Sequence, residues 1–242
     1  GVQTCALPIW NGSAWSPLGS GMNGAVRALT VLPNGDLVAG GDFTTAGGAA
    51  ANSIAHWNGS AWLSFGSGMT DSVGAAGRVY ALAVLPNGDL VASGIFLTAG
   101  GVAANNIARW NGSSWSPLGS GITFLGSGVV RALAVLQNGD LVAGGAFRSA
   151  GGVLNTHNIA RWNGSAWSAL AGSSVANNWA FYALEVAPNG DLVGGGFFLG
   201  SLGPWTNNIA RWNGSAWADL GSGVNGEVMS IAILPDGDVV AG

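Results

Sequence analysis

One cysteine, two histidines, two tyrosines and no lysine stand among 242 residues. With Cys5 alone, no internal disulfide can form. Only 7% of residues are charged and the seven arginines are scattered, so the basic patch that nucleic acid requires is missing. Arg, Asn or Gly interrupts every apolar run before the roughly 18 residues of a membrane helix, so membrane insertion is not expected. No segment sustains the 3.6-residue apolar spacing of an amphipathic helix. What remains is an all-β chain with a net charge of −4, 43 glycines and 12 tryptophans.

The glycines and tryptophans are periodic. The stretch 130–147, VRALAVLQNGDLVAGGAF, recurs with small changes from Val26, Val79, Phe181 and Val228. Its apolar run, Asn-Gly turn, second apolar run and Gly-Gly end read as a β-hairpin. A companion hairpin starts at Trp10 (WNGSAWSPLG) and returns at Trp57, Trp110, Trp162 and Trp212, at spacings of 47, 53, 52 and 50 residues. Such a period marks an array of one supersecondary unit. Each period is predicted to hold four strands, a to d, which in the first repeat cover 26–32, 36–43, 53–57 and 61–65. The Asn-Gly pairs between a and b and between c and d predict two-residue type I′ turns, with both residues at positive φ.

Strands a and b are apolar on both parities, as in Leu37-Val38-Ala39, and need cover on both faces. Four-stranded sheets arranged radially supply that cover. The predicted fold is therefore an all-β propeller in one domain, 10–242, with blades over 26–66, 79–119, 130–171, 181–221, and 228–242 joined to 10–19. A β-solenoid is the rival, although its coils are usually shorter than this period. The doublets Gly40-Gly41, Gly144-Gly145 and Gly195-Gly196, with Ser93-Gly94, predict close approach of a backbone from the neighbouring blade. Antiparallel b and c strands should set Asp36, Asp89, Asp140 and Asp191 beside His56, Arg109, Arg161 and Arg211. Asp238 should lack a partner, because Ile9 holds the matching position.

Residues 1–9, GVQTCALPI, resemble a translated sequencing adapter and replace the NIAR-like segment that the repeat calls for; they are set aside as non-native. From Trp10 onward, the order of apolar strand, Gly-Gly, variable loop and two Trp five residues apart resembles the kelch-type repeat of galactose-oxidase-like propellers. It is also similar to the WNG…W…LGSG repeats of secreted bacterial proteins and of the fungal cortical polarity marker. Trp57 stands where kelch repeats usually carry Tyr. The resemblance implies a propeller but no single activity, and a secreted or cell-surface location is expected.

The copper site of galactose oxidase, which the resemblance brings into question, uses two Tyr, two His and a Tyr–Cys crosslink. Here Tyr80 and Tyr182 fall inside predicted strand a, and Cys5 falls in the adapter-like segment. No Ser/His/Asp set or paired loop carboxylates emerge, since five of the eleven acidic residues hold the one post-turn position. Asp236-Gly237-Asp238 lacks the spaced oxygen ligands of a calcium loop. We expect no enzyme activity, no metal and no cofactor. The Asn-Gly-Ser sequons are read as turn residues, and ten of the twelve Trp as packing residues.

Short a–b and c–d turns must share one face, leaving the variable b–c and d–a loops on the other. Loops on a rigid scaffold are where binding residues concentrate. The candidate ligand-binding residues are Phe124, Asn178 and Trp179 in d–a loops, and Arg148, His157, Trp205 and Asn207 in b–c loops. Trp179 and Trp205 could equally cap their blades. The expected function is a binding or scaffold module with a protein or carbohydrate partner. The alternative is the propeller part of a larger secreted enzyme whose catalytic residues lie elsewhere.

Overall fold

Each of the four complete repeats folds into one antiparallel sheet in the order a-b-c-d. A computed structural model of the chain describes residues 8–123, 129–170, 180–197 and 207–242. The first sheet comprises Ala25–Val31, Leu37–Asp42, Ile54–Trp57 and Trp62–Ser64; the second, Arg78–Val84, Leu90–Ile95, Ile107–Trp110 and Trp115–Pro117. The third comprises Val129–Val135, Leu141–Ala146, Ile159–Trp162 and Trp167–Ser168; the fourth, Ala180–Val186, Leu192–Phe197, Ile209–Trp212 and Trp217–Asp219. Two further hairpins, Pro8–Trp10 with Trp15–Pro17 and Ile231–Ile233 with Val239–Ala241, each form a two-stranded sheet. Among the described residues no helix is long and apolar enough to cross a membrane.

The chain divides into two compact units, Gly1–Pro117 and Leu118–Gly242. In the first unit Val38, Ile54, Val79 and Leu90 are fully buried in one cluster; in the second, Val142, Ile159, Phe181 and Leu192 are. Strand b loses nearly all its residues from solvent, which is why neither of its parities is polar.

The turns differ from the two-residue type I′ expectation. Leu32 N–H donates to Asp36 O at 2.9 Å and Gly35 N–H to Leu32 O at 2.9 Å, enclosing Pro33, Asn34 and Gly35. Only Gly35 has positive φ (+89°); Asn34 does not. This is the three-residue hairpin with a left-handed Gly in last place; Pro33 is pre-set for the first turn position, although Gln137 serves there equally in the third repeat. Asn34 contributes through its side chain instead, with Oδ1 accepting Asp36 N–H at 3.1 Å. In the c–d turns Asn58 Oδ1 likewise accepts from the N–H groups of Ser60 and Ala61 at 3.0 Å.

The glycine doublets need their missing Cβ atoms for two separate reasons. A Cβ on Gly41, Gly94, Gly145 or Gly196 would fall within about 2.0 Å of a carbonyl oxygen of strand a in the same repeat. The first glycine of each doublet instead faces the next repeat in its unit: Val79 side-chain atoms approach a Gly40 Cβ to 2.4 Å, and Val228 approaches Gly195 equally. The crowding backbone is thus the repeat's own, and the neighbour contributes a side chain. The own-strand contact arises beside a β-bulge, since the a–b register shifts between Val26 and Ala28 and at the same place in all four repeats. The bulged residues alternate Arg27, Tyr80, Arg131, Tyr182. The Arg27 guanidinium stacks over Tyr80, and that of Arg131 over Tyr182, each 5.1 Å from the ring centroid. Arg27 also pairs with Asp42 at 2.5 Å, which holds its guanidinium more firmly charged than usual.

The eight paired tryptophans of the four complete repeats are buried or half-buried, as expected of packing residues, whereas Trp10 and Trp15 are 50% and 66% exposed. In the hairpins that begin at Trp10, Trp57, Trp110 and Trp162 the two rings lie 5.4–5.7 Å apart. The Nε1–H groups of Trp62, Trp115 and Trp167 donate to the carbonyls of Leu18, Phe65 and Leu118. The cross-strand charges also meet. Asp36–His56, Asp89–Arg109, Asp140–Arg161 and Asp191–Arg211 lie 2.7, 3.6, 2.5 and 3.4 Å apart. Among the described residues Asp238 has no cationic partner.

Candidate functional site

The loop side carries order that alternating patterns did not reveal. Thr45–Ala46 pairs with Ala49–Ala50 across a Gly47-Gly48 turn, so the b–c excursion of the first repeat is a miniature hairpin. In the second and third repeats the incoming d–a segment pairs with that excursion, Met69–Thr70 on Thr98–Ala99 and Ile122–Thr123 on Ser149–Ala150. The Gly-Gly signal for such turns was present in the sequence and is now accounted for.

In the third repeat this framework places Arg148 and His157 together. Phe147 N–H donates to Asn158 Oδ1 at 3.1 Å, and Asn158 N–H to Phe147 O at 3.0 Å, fixing the base of the excursion. Arg148 and His157 are the next residues outward from this closed pair. Arg148 N–H is held by Thr123 O at 3.0 Å, and Thr123 Oγ1 lies 2.8 Å from Ser149 Oγ. Buried Thr156 braces the far side, its Oγ1 donating to Val153 O at 2.7 Å and accepting from Ala150 N–H at 2.9 Å.

The result is a pocket of about 350 Å³ lined by Thr123, Arg148, Ser149, Gly152, Val153, Leu154 and His157. Its described lining holds one guanidinium, one imidazole and two hydroxyls, and no carboxylate. Leu154, 85% exposed, forms an apolar lip. Among the described residues neither the Arg148 guanidinium nor the His157 ring has a partner. The repeats show why. Where His157 stands, the first and fourth repeats carry Asn52 and Asn207, whose Nδ2–H groups donate to the carbonyls of Ser67 and Ser222. Where Arg148 stands, the first two repeats carry Thr44 and Leu97.

Asn207, another candidate, is thus engaged in a loop tie and lies away from this pocket. Phe124, Asn178, Trp179 and Trp205 lie outside the described residues. Sequence reasoning missed Thr123, Ser149 and Leu154; the exposed Val153-Leu154 pair in a polar loop was the available signal. Among the described residues no group of three His, Cys, Asp or Glu side chains could hold a metal ion. Tyr80 and Tyr182 lie beneath arginines on strand a, so these residues do not fit the galactose-oxidase copper set.

No protein-family model and no curated protein sequence matches the chain. Solved structures do match it. The extracellular domain of a B. thetaiotaomicron protein described as a hybrid two-component system superposes with a TM-score of 0.60 over 94% of this chain, at 10% identity. Streptogramin B lyase gives 0.55 over 94% at 15% identity, and the WD40 β-propeller domain of Doa1 gives 0.52 over 90% at 17% identity. The fold is a β-propeller. At such identities the likeness speaks to the fold alone. The chain spans 27% of the B. thetaiotaomicron domain, 65% of the lyase and 60% of the Doa1 domain. The propeller neighbours thus include extracellular domains and enzymes alike.

Proposed function

We propose that this propeller is a non-enzymatic binding module of a secreted or cell-surface protein, and that its loop side takes an anionic group carried by a protein or carbohydrate partner. The observation that carries the reading is the convergence of Arg148 and His157 on one pocket. They meet in the repeat where both positions depart from the others. A carboxylate or sulfate seated there would accept charge-assisted hydrogen bonds from the Arg148 guanidinium. Leu154 and Val153 would cover the apolar body that bears it. No described carboxylate lies beside His157 to orient it as a general base, which favours binding over catalysis. The extracellular neighbour supports secretion, and the repeat residues support a kelch-like variant of the fold.

The lyase neighbour supports a second reading, in which this is the propeller part of a larger secreted enzyme. A catalytic domain found on extending the gene would favour it. The binding reading is tested with sulfated and uronate-containing glycans and acidic peptides, comparing the native chain with Arg148→Ala and His157→Asn. His157→Asn restores the residue of the other repeats, so the fold should hold. We expect an anionic ligand that loses about tenfold or more in affinity in each variant, worth roughly 1.4 kcal/mol, at unchanged Tm. Equal binding by all three chains, or no anionic ligand at all, would overturn it.

A further inference from the structure

A second pocket, independent of the first, lies on the turn side between the first and second repeats. It measures about 410 Å³, within the range of small-ligand sites. Two departures from the repeat meet in its wall. His56 stands where the other repeats carry Arg109, Arg161 and Arg211, and Phe65 stands where they carry Leu118, Leu170 and Leu220. Nine residues apart in sequence, the two rings pack with centroids 4.8 Å apart. Phe65 in turn meets the half-buried Trp110 edge-on at 5.3 Å.

The equivalent pocket beside the fourth repeat, walled by Arg211 and Leu220, measures about 310 Å³. Between the third and fourth repeats the groove is bridged, because Gln137, in the place of Pro33, donates from Nε2 to Pro188 O at 3.0 Å. The first groove is the one that is both roomier and aromatic.

Its polar groups favour a hydroxylated ligand over a cation. Asp36 is held by the His56 Nδ1–H at 2.7 Å. Asp89 lies between Asn87 Nδ2 at 2.9 Å and Arg109 Nε at 3.6 Å. Asp89 therefore has its charge offset by Arg109, Asp36 is tied by a hydrogen bond, and each keeps an oxygen to accept. In the other repeats the turn Asn donates to its own Asp, as Asn138 does to Asp140 at 2.8 Å. Here His56 has taken that Asp, and among the described residues Asn34 Nδ2 and His56 Nε2 are left without partners. Alternating donors and acceptors beside the half-buried His56 and Trp110 rings, against which the buried Phe65 packs, match vicinal hydroxyls and the C–H face of a sugar ring.

We propose that this pocket, framed by Asn34, Asp36, His56, Phe65, Asp89 and Trp110, is a saccharide-binding site. The test uses saturation-transfer NMR and calorimetry with methyl glucoside, methyl galactoside and N-acetylglucosamine at millimolar concentration. The paired change His56→Arg with Phe65→Leu rebuilds the wall found in the other repeats, so the sheet should keep its Tm. His56→Gln, which retains a donor to Asp36, is the milder variant. The native chain should bind at least one of the three sugars, His56→Gln more weakly, and the paired variant about tenfold more weakly or not at all. Arg148→Ala should bind that sugar normally. Saccharide binding unchanged in the paired variant, no binding of any of the three by the native chain, or binding of tetramethylammonium alone would each overturn the proposal.

Discussion

Replacing Gly145 by alanine should unfold the third sheet of the propeller more readily than any other single-methyl change there. The added Cβ would lie 2.0 Å from Val129 O and 2.9 Å from Val130 Cα, where ordinary contact begins at 3.4 Å. Strand a would have to retreat by about 1.4 Å from strand b at the bulge, and both partners are backbone. Overpacking that side chains can relieve costs about 1–3 kcal/mol, so a clash that they cannot relieve should exceed about 3 kcal/mol. For a chain of this size that is a fall in Tm of about 6–12 °C. Two companions calibrate the value. Gly144→Ala meets Phe181 Cβ at 2.9 Å and Leu184 Cδ1 at 3.0 Å, of which the Leu184 methyl can turn aside, and should lose about 1–3 kcal/mol. Gly164→Ala meets nothing within 4 Å, and pays only for its φ of +94°, about 1–2 kcal/mol. Scanning fluorimetry with hydrogen exchange on 129–168 ranks the three. If Gly145→Ala melts within about 2 °C of Gly164→Ala, less than the shift that about 1 kcal/mol makes in a chain of this size, the reasoning about the bulge fails.

A double-mutant cycle on Asp140 and Arg161, 2.5 Å apart, should return a coupling of about 0.2–1 kcal/mol that shrinks in high salt; a coupling of zero at low salt would make the repeated pair ornamental. Partial desolvation raises the pKa of Glu185 from its ordinary value, although the residue is exposed. Below about pH 4.3, the unfolded value, both states are protonated and no penalty exists. As pH rises through that value and then the raised folded one, the unfolded state ionises first and stability is lost. Glu185→Gln should therefore raise Tm at pH 7 and leave it unchanged at pH 3; because Glu185 keeps contact with solvent the gain is small, and a fall at pH 7 would contradict the argument.

Hairpins, strand limits and the four Asp–Arg/His contacts were legible because each depends on spacing, and ten near-identical turns fix the spacing. The turn class was not, because Asn-Gly alone cannot distinguish a two-residue loop from a three-residue one, and the third repeat makes the same turn with Gln137 in the place of Pro33. The role of the glycine doublet was half legible. A missing side chain announces close approach but not which chain approaches, and the bulge at Arg27 has no sequence signature. At the candidate sites, the loop residues Arg148 and His157 stood out as polar exceptions, whereas His56 and Phe65 looked like ordinary members of strands. Only their meeting in one wall, across nine residues of sequence, sets them apart from core.

The alternation of Arg27, Tyr80, Arg131 and Tyr182 on the strand a bulges also bears on how such a chain avoids folding wrongly. Near-identical hairpins invite a repeat to dock on the wrong neighbour, a characteristic failure of repeat proteins. Each Arg–Tyr stack contributes about 0.5–2 kcal/mol to the correct adjacency. If the second repeat were skipped, Arg27 would meet Arg131 and the stack would become a repulsion between like charges. Two residue types on a bulge thus serve as an address, marking odd repeats from even ones in a chain whose strands are otherwise interchangeable.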